Sequence, residues 1–169
     1  MNVMKTITLI GMMGAGKTSC AKILAKKLQL DCLDIDSLIE IQHKCPISEI
    51  FEKYGEIYFR TLEKNAIKDN VKPYNMIVSI GGGAFENSDT QAFLTENSKV
   101  VYLQTSAEVI YERIKTDLTR PLLKNNMNIE RIKNIINKRE KNYEKANYIV
   151  NTDGKTIEQV VEEILGVLR

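Results

Sequence analysis

Cysteine, histidine and long apolar runs are scarce in this sequence. Three cysteines and one histidine occur among 169 residues, and tryptophan is absent. Because the cysteines are odd in number and lie near or inside predicted regular elements, a disulfide framework is disfavoured and a reduced setting is expected. The cysteines also show no metal-ligand spacing. The apolar stretch near the N-terminus is too short to span a bilayer and continues into a glycine-rich loop. We therefore expect a cytoplasmic protein with no membrane partner.

An excess of charge of one sign is also missing. The 24 basic and 22 acidic residues leave a formal net charge of +2, and the two signs are interleaved along the chain. Dedicated nucleic-acid binders usually carry a concentrated basic surface, so this composition predicts no nucleic-acid partner. The length, together with the lack of internal repeats and linkers, predicts a single domain over residues 1–169.

Residues 11–18, with the sequence GMMGAGKT, match the phosphate-loop pattern of two glycines separated by four residues and followed by lysine and a hydroxyl residue. A strand is predicted at 6–10 before this loop and a helix at 18–28 after it. In such a loop, backbone N–H groups and the helix N-terminus converge on phosphate oxygens. We therefore predict a nucleoside triphosphate site in which Lys17 contacts the β- and γ-phosphates and Thr18 ligates Mg²⁺. The alternative, a glycine-rich turn that binds nothing, is disfavoured by the complete order of strand, loop, lysine, threonine and helix.

Strands and helices alternate along the rest of the chain, which predicts an α/β fold with a parallel sheet covered on both faces. A second strand is expected to end at Asp36, and further strands are expected at 76–80, 99–103 and 148–150.

Two segments depart from this alternation. Residues 36–70 are predicted to form a helical insertion between two strands, which is a natural place for a substrate pocket. Gly55 is expected to end one of the helices in the insertion. The inner face of the last helix is predicted to consist of Ile57, Leu62, Ala66 and Ile67. Residues 116–128 are polar and aperiodic, which fits a mobile lid.

Two clusters next to predicted strands leave alternatives open. Of Asp34 and Asp36, one could hold Mg²⁺ through water and the other could face an acceptor hydroxyl. The alternative is two solvated acids that cap the next helix. Gly81–Gly83 suggest close approach of the backbone to a ligand, and a flexible loop is the alternative.

Three arginines are not assigned by their spacing alone. Arg60, Arg120 and Arg139 could each be solvated or paired with surface acids, as Arg60 could be with Glu63 three residues later. The phosphate loop by itself does not distinguish a kinase from a GTPase, a transporter ATPase or a regulatory module.

Taken together, the motifs resemble the shikimate kinase family over nearly the whole chain. Their joint occurrence in this order and at this length is specific, although each one alone is weak. The motifs are GMMGAGKTS at 11–19, DID at 34–36, FRTLE at 59–63, SIGGG at 79–83, RPLL at 120–123 and REKNY at 139–143. The resemblance implies a three-layer P-loop kinase fold with strand order 2-3-1-4-5 and a lid. It also implies ATP-dependent phosphorylation of the 3-hydroxyl of shikimate, in the route to the aromatic amino acids.

The resemblance further implies a role for each matching residue. The residues implied to take part in phosphoryl transfer are Lys17, Asp36 and Arg120. Those implied to bind ATP are Gly14, Ala15, Gly16, Lys17, Thr18, Ser19, Arg113 and Arg120. Those implied to bind shikimate are Asp36, Arg60, Gly81, Gly82, Gly83 and Arg139. One Mg²⁺ per subunit is implied at Thr18 and Asp34.

Some positions are assigned less directly. Glu63 is implied to orient Arg60, and residues 151–153 fall where the family has its adenine loop. Asn147 and Asn151 stand where the family often has Asp.

The rival interpretations are a kinase for another small acceptor, such as gluconate, and a non-catalytic nucleotide-binding module. We expect a monomer, because no surplus apolar stripe is evident.

Overall fold

Five strands form one parallel sheet in the order β2-β3-β1-β4-β5 in a computed structural model that describes residues 3–115 and 128–169. The predicted parallel sheet and its strand order are confirmed. The strands are β1 Thr6–Ile10, β2 Asp31–Asp34, β3 Met76–Ser79, β4 Ser98–Gln104 and β5 Tyr148–Asn151. Because β1 pairs with β3 on one side and β4 on the other, the loop that follows β1 starts at the centre of the sheet.

Helices cover both faces of the sheet. They are α1 Lys17–Leu28, α2 Ile35–His43, α3 Ile47–Asn70, α4 Ser88–Asn97, α5 Ala107–Ile114, α6 Ile129–Tyr143 and α7 Ile157–Val167. On one face α1 and α7 pack on Ile7 and Leu9 of β1, and on the other face residues of α2 to α6 pack in the cluster that contains Ile10. Alternate residues of a strand point to opposite faces, so β1 contributes to both cores. The predicted three-layer arrangement is confirmed.

Side chains cap the N-termini of most of these helices. Ser106 caps α5, and Thr156 forms a reciprocal capping box with Gln159 at α7. Asn128 caps α6 by accepting from the backbone N–H of Arg131 at 2.8 Å. No helix in the described ranges is long and apolar enough to cross a membrane.

The helical insertion between β2 and β3 consists of α2 and α3. Pro46 immediately precedes α3, and Gly55 interrupts it with φ 80° and ψ 172°. The predicted break at Gly55 is therefore confirmed.

One prediction for the inner face of the insertion is wrong, because Ile57 is 86% exposed. The buried positions after the break are Phe59, Glu63, Ala66 and Ile67, which follow the i, i+4, i+7 and i+8 spacing of a single helical face. Ile57 precedes Phe59 by two residues, or about 200° around the helix, so it lies on the opposite side.

The predicted lid, residues 116–128, lies outside the described residues except for Asn128. Arg120, predicted to act from that lid, lies outside them as well.

Candidate active site

A cavity of about 650 Å³ opens where β1, β2 and β3 end, between the phosphate loop and the helical insertion. Parallel sheets commonly bind ligands at the carboxyl ends of their strands. The predicted site residues that line the cavity are Gly14, Gly16, Lys17, Thr18, Ser19, Asp34, Asp36, Arg60, Gly81, Gly82, Gly83 and Arg139. Residues separated by more than 120 positions in the sequence therefore share one site.

The phosphate loop owes its shape to backbone conformations that favour glycine. Gly16 precedes α1 with φ 91°, a value in the left-handed range. A Cβ on Gly11 would lie 2.7 Å from the carbonyl oxygen of Leu103. The Lys17 ammonium donates to the carbonyl oxygens of Gly11 at 2.9 Å and Met12 at 2.8 Å. The loop thus holds a cation beside the N-terminus of α1, where anions bind favourably.

Asp34 caps α2, as one of the two alternatives from the sequence predicts, and it also contacts Thr18 of the phosphate loop. Its Oδ1 accepts from the backbone N–H of Ser37 at 3.0 Å and caps α2, while its Oδ2 accepts from the Thr18 hydroxyl at 2.6 Å. The cap also corrects the predicted second strand, which ends at Asp34 and not at Asp36. Asp36 therefore lies in the first turn of α2, where its carboxylate lines the cavity.

Thr18 and Asp34 fit a Mg²⁺ site. No group of three His, Cys, Asp or Glu side chains in the described ranges could hold a metal by itself. Mg²⁺ at nucleotide sites typically takes one or two protein oxygens and completes its octahedron with water and phosphate. While the Thr18 hydroxyl donates its proton to Asp34, its oxygen keeps lone pairs for a cation.

Arg60 is held at the cavity by two acids of its own helix. Its guanidinium donates to Glu63 Oε2 at 2.8 Å and to Glu56 Oε1 at 3.2 Å. Glu63 is only 1% exposed, and no hydrogen-bond donor from the described ranges reaches its Oε1 atom. Burial raises the pKa of Glu63 to about 7, although Arg60 lowers it in part. The predicted pairing of Arg60 with Glu63 is therefore confirmed, and Glu63 is a buried acid and not a surface one.

The Gly81–Gly83 triplet leaves room for these charged groups. A Cβ on Gly81 would lie 2.6 Å from Glu63 Oε1, and a Cβ on Gly83 would collide with the Arg60 guanidinium. None of the three glycines has a positive φ. The triplet is thus required for space and not for backbone freedom, which disfavours the flexible-loop alternative.

Arg139 reaches the same cavity from α6. Its Nη1 lies 3.7 Å from the sulfur of Met12, and a Cβ on Gly82 would lie 3.1 Å from that nitrogen. The helix-surface alternative for Arg139 is therefore wrong. Two guanidinium groups, from α3 and α6, face one cavity that also contains the Asp36 carboxylate.

Two predicted nucleotide contacts lie beside the cavity and do not line it. Ala15 is 1% exposed within the loop. Arg113 of α5 donates to the carbonyl oxygen of Gly14 at 3.0 Å, which places its guanidinium against the phosphate loop.

The predicted adenine loop adjoins the start of α5. The side chain of Asp153 accepts from the backbone N–H of Ser106 at 3.0 Å. Asn147 accepts from the N–H of Val100 at 2.8 Å, so it has a structural contact between β4 and the segment before β5.

Sequence reasoning gave no role to several residues of the site. Phe51 and Phe59 supply apolar walls of the cavity, with ring centroids 4.7 Å apart. Tyr143, one turn after Arg139 on α6, donates to the carbonyl oxygen of Gly82. The four-residue spacing from Arg139 to Tyr143, which places both on one helical face, is the signal that could have identified the second residue.

Glu63 predicts a pH dependence of stability. Its pKa is about 7 in the folded protein against a usual value of 4.5, so the folded state binds the extra proton between these values. Its contribution is therefore largest below pH 4.5 and is lost as the pH rises to 7. Relative to Glu63→Gln, the wild type should lose roughly 3 kcal/mol of unfolding free energy across this window, measured by urea titration at a series of pH values.

The matched control for this measurement is Glu56→Gln, which removes the other acid that contacts Arg60. The Glu56 side chain is 54% exposed. The unfolding free energy of Glu56→Gln, plotted against pH, should therefore stay parallel to that of the wild type. A Glu63→Gln profile parallel to the wild type would show that Glu63 does not carry the effect.

The comparisons with known proteins agree with one another. A family model described as shikimate kinase matches residues 13–169. Shikimate kinase from Sulfurihydrogenibium sp. (strain YO3AOP1) is 44% identical over 96% of this chain and 96% of its own. Shikimate kinase from Persephonella marina is 42% identical over 98% of this chain and 100% of its own. The structure of shikimate kinase from Acinetobacter baumannii in complex with shikimate is similar with a TM-score of 0.94 at 32% identity, covering 98% of this chain and 93% of that one.

Proposed function

The chain belongs to the shikimate kinase family, and on this premise we propose that it transfers the γ-phosphoryl group of ATP to the 3-hydroxyl of shikimate. The products are ADP and shikimate 3-phosphate, an intermediate on the route to the aromatic amino acids. The observation that carries the proposal is the shared cavity, in which the phosphate loop faces one aspartate and two arginines.

ATP is the co-substrate, and its phosphates bind along the loop from Gly14 to Ser19. Backbone N–H groups and the N-terminus of α1 bind the phosphate oxygens, and Lys17 contacts the β- and γ-phosphates. Thr18 and Asp34 would hold one Mg²⁺, Thr18 directly and Asp34 through water. When bound, the metal would offset negative charge on the phosphates. Arg113 packs against the adenine, beside the loop formed by residues 151–153.

Shikimate binds at the other end of the cavity. Its carboxylate pairs with the guanidinium groups of Arg60 and Arg139, whose planar forks match a carboxylate. The backbone of Gly81–Gly83 lines the ring, and Glu63 holds Arg60 in place. The Asp36 carboxylate accepts from the hydroxyl group that becomes phosphorylated.

In the chemical step, the 3-hydroxyl oxygen of shikimate attacks the γ-phosphorus while the bond to the β-phosphate oxygen of ADP breaks. The hydroxyl proton passes to Asp36 as the new P–O bond forms. Lys17 and Arg120 stabilise charge on the transferring group. Arg120 and the lid at 116–128 stay predictions from the sequence, because they lie outside the described residues apart from Asn128.

The organisation of the chain is also proposed. We propose one shikimate kinase domain over residues 1–169, with the substrate-binding insertion at 36–70. A monomeric state and a cytoplasmic location stay predictions from composition and pattern.

An ADP-release assay with shikimate, with gluconate and without acceptor tests the function. Release that depends on shikimate supports the proposal. Release that depends on gluconate would indicate a kinase for another acceptor, and no release with any acceptor would indicate a non-catalytic nucleotide-binding module.

Removing one arginine should separate the acceptor from the nucleotide. Arg139→Ala leaves the shikimate carboxylate partly unpaired in a desolvated site, which costs about 2–5 kcal/mol for buried charge pairs. We expect the KM for shikimate to rise by at least about tenfold and the affinity for ADP to stay nearly unchanged. Arg60→Ala should act in the same direction, but it also leaves the buried Glu63 without its cation, so Arg139→Ala is the cleaner test.

Lys138→Ala is the control for this pair, because Lys138 is the exposed neighbour of Arg139 on α6. Its kinetics should equal those of the wild type. Wild-type shikimate binding by both arginine variants would remove the main chemical support for shikimate as the acceptor.

A further inference from the structure

Tyr143 occupies a fixed position between the sheet and the glycine triplet. Its side chain is fully buried at the end of α6, and its ring stacks on Tyr102 of β4 with centroids 4.8 Å apart and planes 30° apart. Its hydroxyl donates to the carbonyl oxygen of Gly82. Burial raises the pKa of Tyr143 to about 12, so the hydroxyl keeps the proton that it donates.

The three carbonyl groups of the glycine triplet are held in different ways. Gly81 and Gly83 accept from backbone N–H groups three residues later, Ala84 at 3.1 Å and Glu86 at 3.2 Å. The Gly82 carbonyl accepts instead from the Tyr143 side chain, which is 61 residues away in the sequence. The orientation of the Gly82 peptide therefore depends on a tertiary contact that the local turn does not supply.

Gly82 also lies where the substrate and nucleotide parts of the site meet. A Cβ on Gly82 would lie 3.1 Å from Arg139 Nη1, 3.2 Å from the carbonyl oxygen of Gly11 and 3.4 Å from the backbone nitrogen of Met13. A rotation of this peptide would therefore disturb the Arg139 guanidinium and the backbone that faces the acceptor. The same helix carries Arg139 and Tyr143 one turn apart, so α6 sets both groups together.

We propose that Tyr143 is a positioning residue for the acceptor, whose hydroxyl fixes the Gly82 peptide so that the triplet backbone and Arg139 bind shikimate in one arrangement. The inference rests on the proposed function. Phenylalanine would keep the ring and its stack but would leave the partly buried Gly82 carbonyl without this donor. An acceptor that loses its partner is less favourable in its present orientation, which weakens the restraint on the Gly82 peptide.

The test compares Tyr143→Phe with Tyr102→Phe, which removes a hydroxyl from the other ring of the same stack. For Tyr143→Phe we expect the KM for shikimate to rise about three- to tenfold. We also expect kcat to change by less than about twofold and ADP affinity to stay at the wild-type value, because the phosphate contacts are elsewhere. Tyr102→Phe should keep all three parameters.

Three outcomes would overturn the inference. A Tyr143→Phe protein with a lower Tm and wild-type KM would show that the hydroxyl supports only the fold. Equal KM increases in both variants would assign the effect to the stacked rings. A wild type that phosphorylates no shikimate would overturn the proposed function and this inference together, whereas the first two outcomes leave the proposed function standing.

Discussion

Lys17→Met is expected to lower kcat by about 10²–10³-fold while the protein still folds. The Lys17 ammonium lies within hydrogen-bond distance of two loop carbonyls, those of Gly11 and Met12, and is therefore already positioned at the phosphate site. Negative charge on the transferring phosphoryl group is spread over its oxygens in the transition state, and a positioned cation stabilises it there. Methionine keeps an unbranched side chain but removes the charge. Single-turnover measurements with saturating ATP and shikimate would report the loss directly.

The matched control is Lys26→Met, which makes the same change at an exposed position of α1. Its rate should equal that of the wild type, and thermal unfolding should show that both variants fold. A Lys17→Met enzyme with the wild-type rate would mean that the loop does not serve the reaction.

Asp36→Asn is expected to lower kcat by about 10²–10⁴-fold and also to raise the KM for shikimate. The carboxylate lines the cavity from the first turn of α2, and a Cβ on Gly81 would lie 3.0 Å from its Oδ1. An amide of the same shape can still contact the acceptor hydroxyl, but it takes up the hydroxyl proton far less readily. Both the orientation of the acceptor hydroxyl and the transfer of its proton should therefore be impaired.

Asp34→Asn distinguishes the two acids. Because Asp34 contacts Thr18 and caps α2, its substitution should shift the Mg²⁺ concentration that gives half-maximal rate, and Asp36→Asn should leave that concentration unchanged. Rates are measured across a Mg²⁺ titration for both variants. Identical Mg²⁺ dependence in the two variants would contradict the proposal that Asp34 acts on the metal and Asp36 on the acceptor hydroxyl.

The sequence predicts the sheet well because most of its strands are short, apolar and bounded by clear breaks. The prediction for β1, residues 6–10, agrees with the structure at both ends. The prediction for the second strand was two residues too long, because Asp34 caps the next helix and the chain turns there. A residue at the end of a strand can either continue the alternating pattern or cap the following helix. Hydrophobic periodicity alone does not distinguish these two roles. The apolar pattern also predicts, wrongly, that Ile57 lies on the inner face of α3. The face that is buried after Gly55 depends on the backbone angles of that glycine, which the apolar pattern does not show.

The phosphate-loop pattern alone predicts the role of Lys17, whereas the arginines of the candidate site are assigned only through the resemblance to a family. An arginine on an isolated helix is usually solvated, and only the tertiary structure shows that Arg60 and Arg139 face one cavity. The buried state of Glu63 was equally hidden, because its neighbour Arg60 suggests a surface ion pair. The spacing of Tyr143 from Arg139 predicts a shared helical face, but it does not predict the contact of Tyr143 with a carbonyl 61 residues away.

The interruption of α3 at Gly55 depends on the handedness of the amino acid at this position. Nothing lies within 4 Å of a Cβ built at this position, so the space would admit an alanine. The φ of 80° and ψ of 172° fall in a region that is essentially closed to L-residues but is the mirror image of an extended conformation. A D-alanine introduced by chemical synthesis would adopt these torsions without strain, because its allowed regions are the mirror images of those of an L-residue. The helical insertion is therefore shaped at this point by the L-chirality of the encoded amino acids, which leaves glycine as the residue that accepts this geometry without strain.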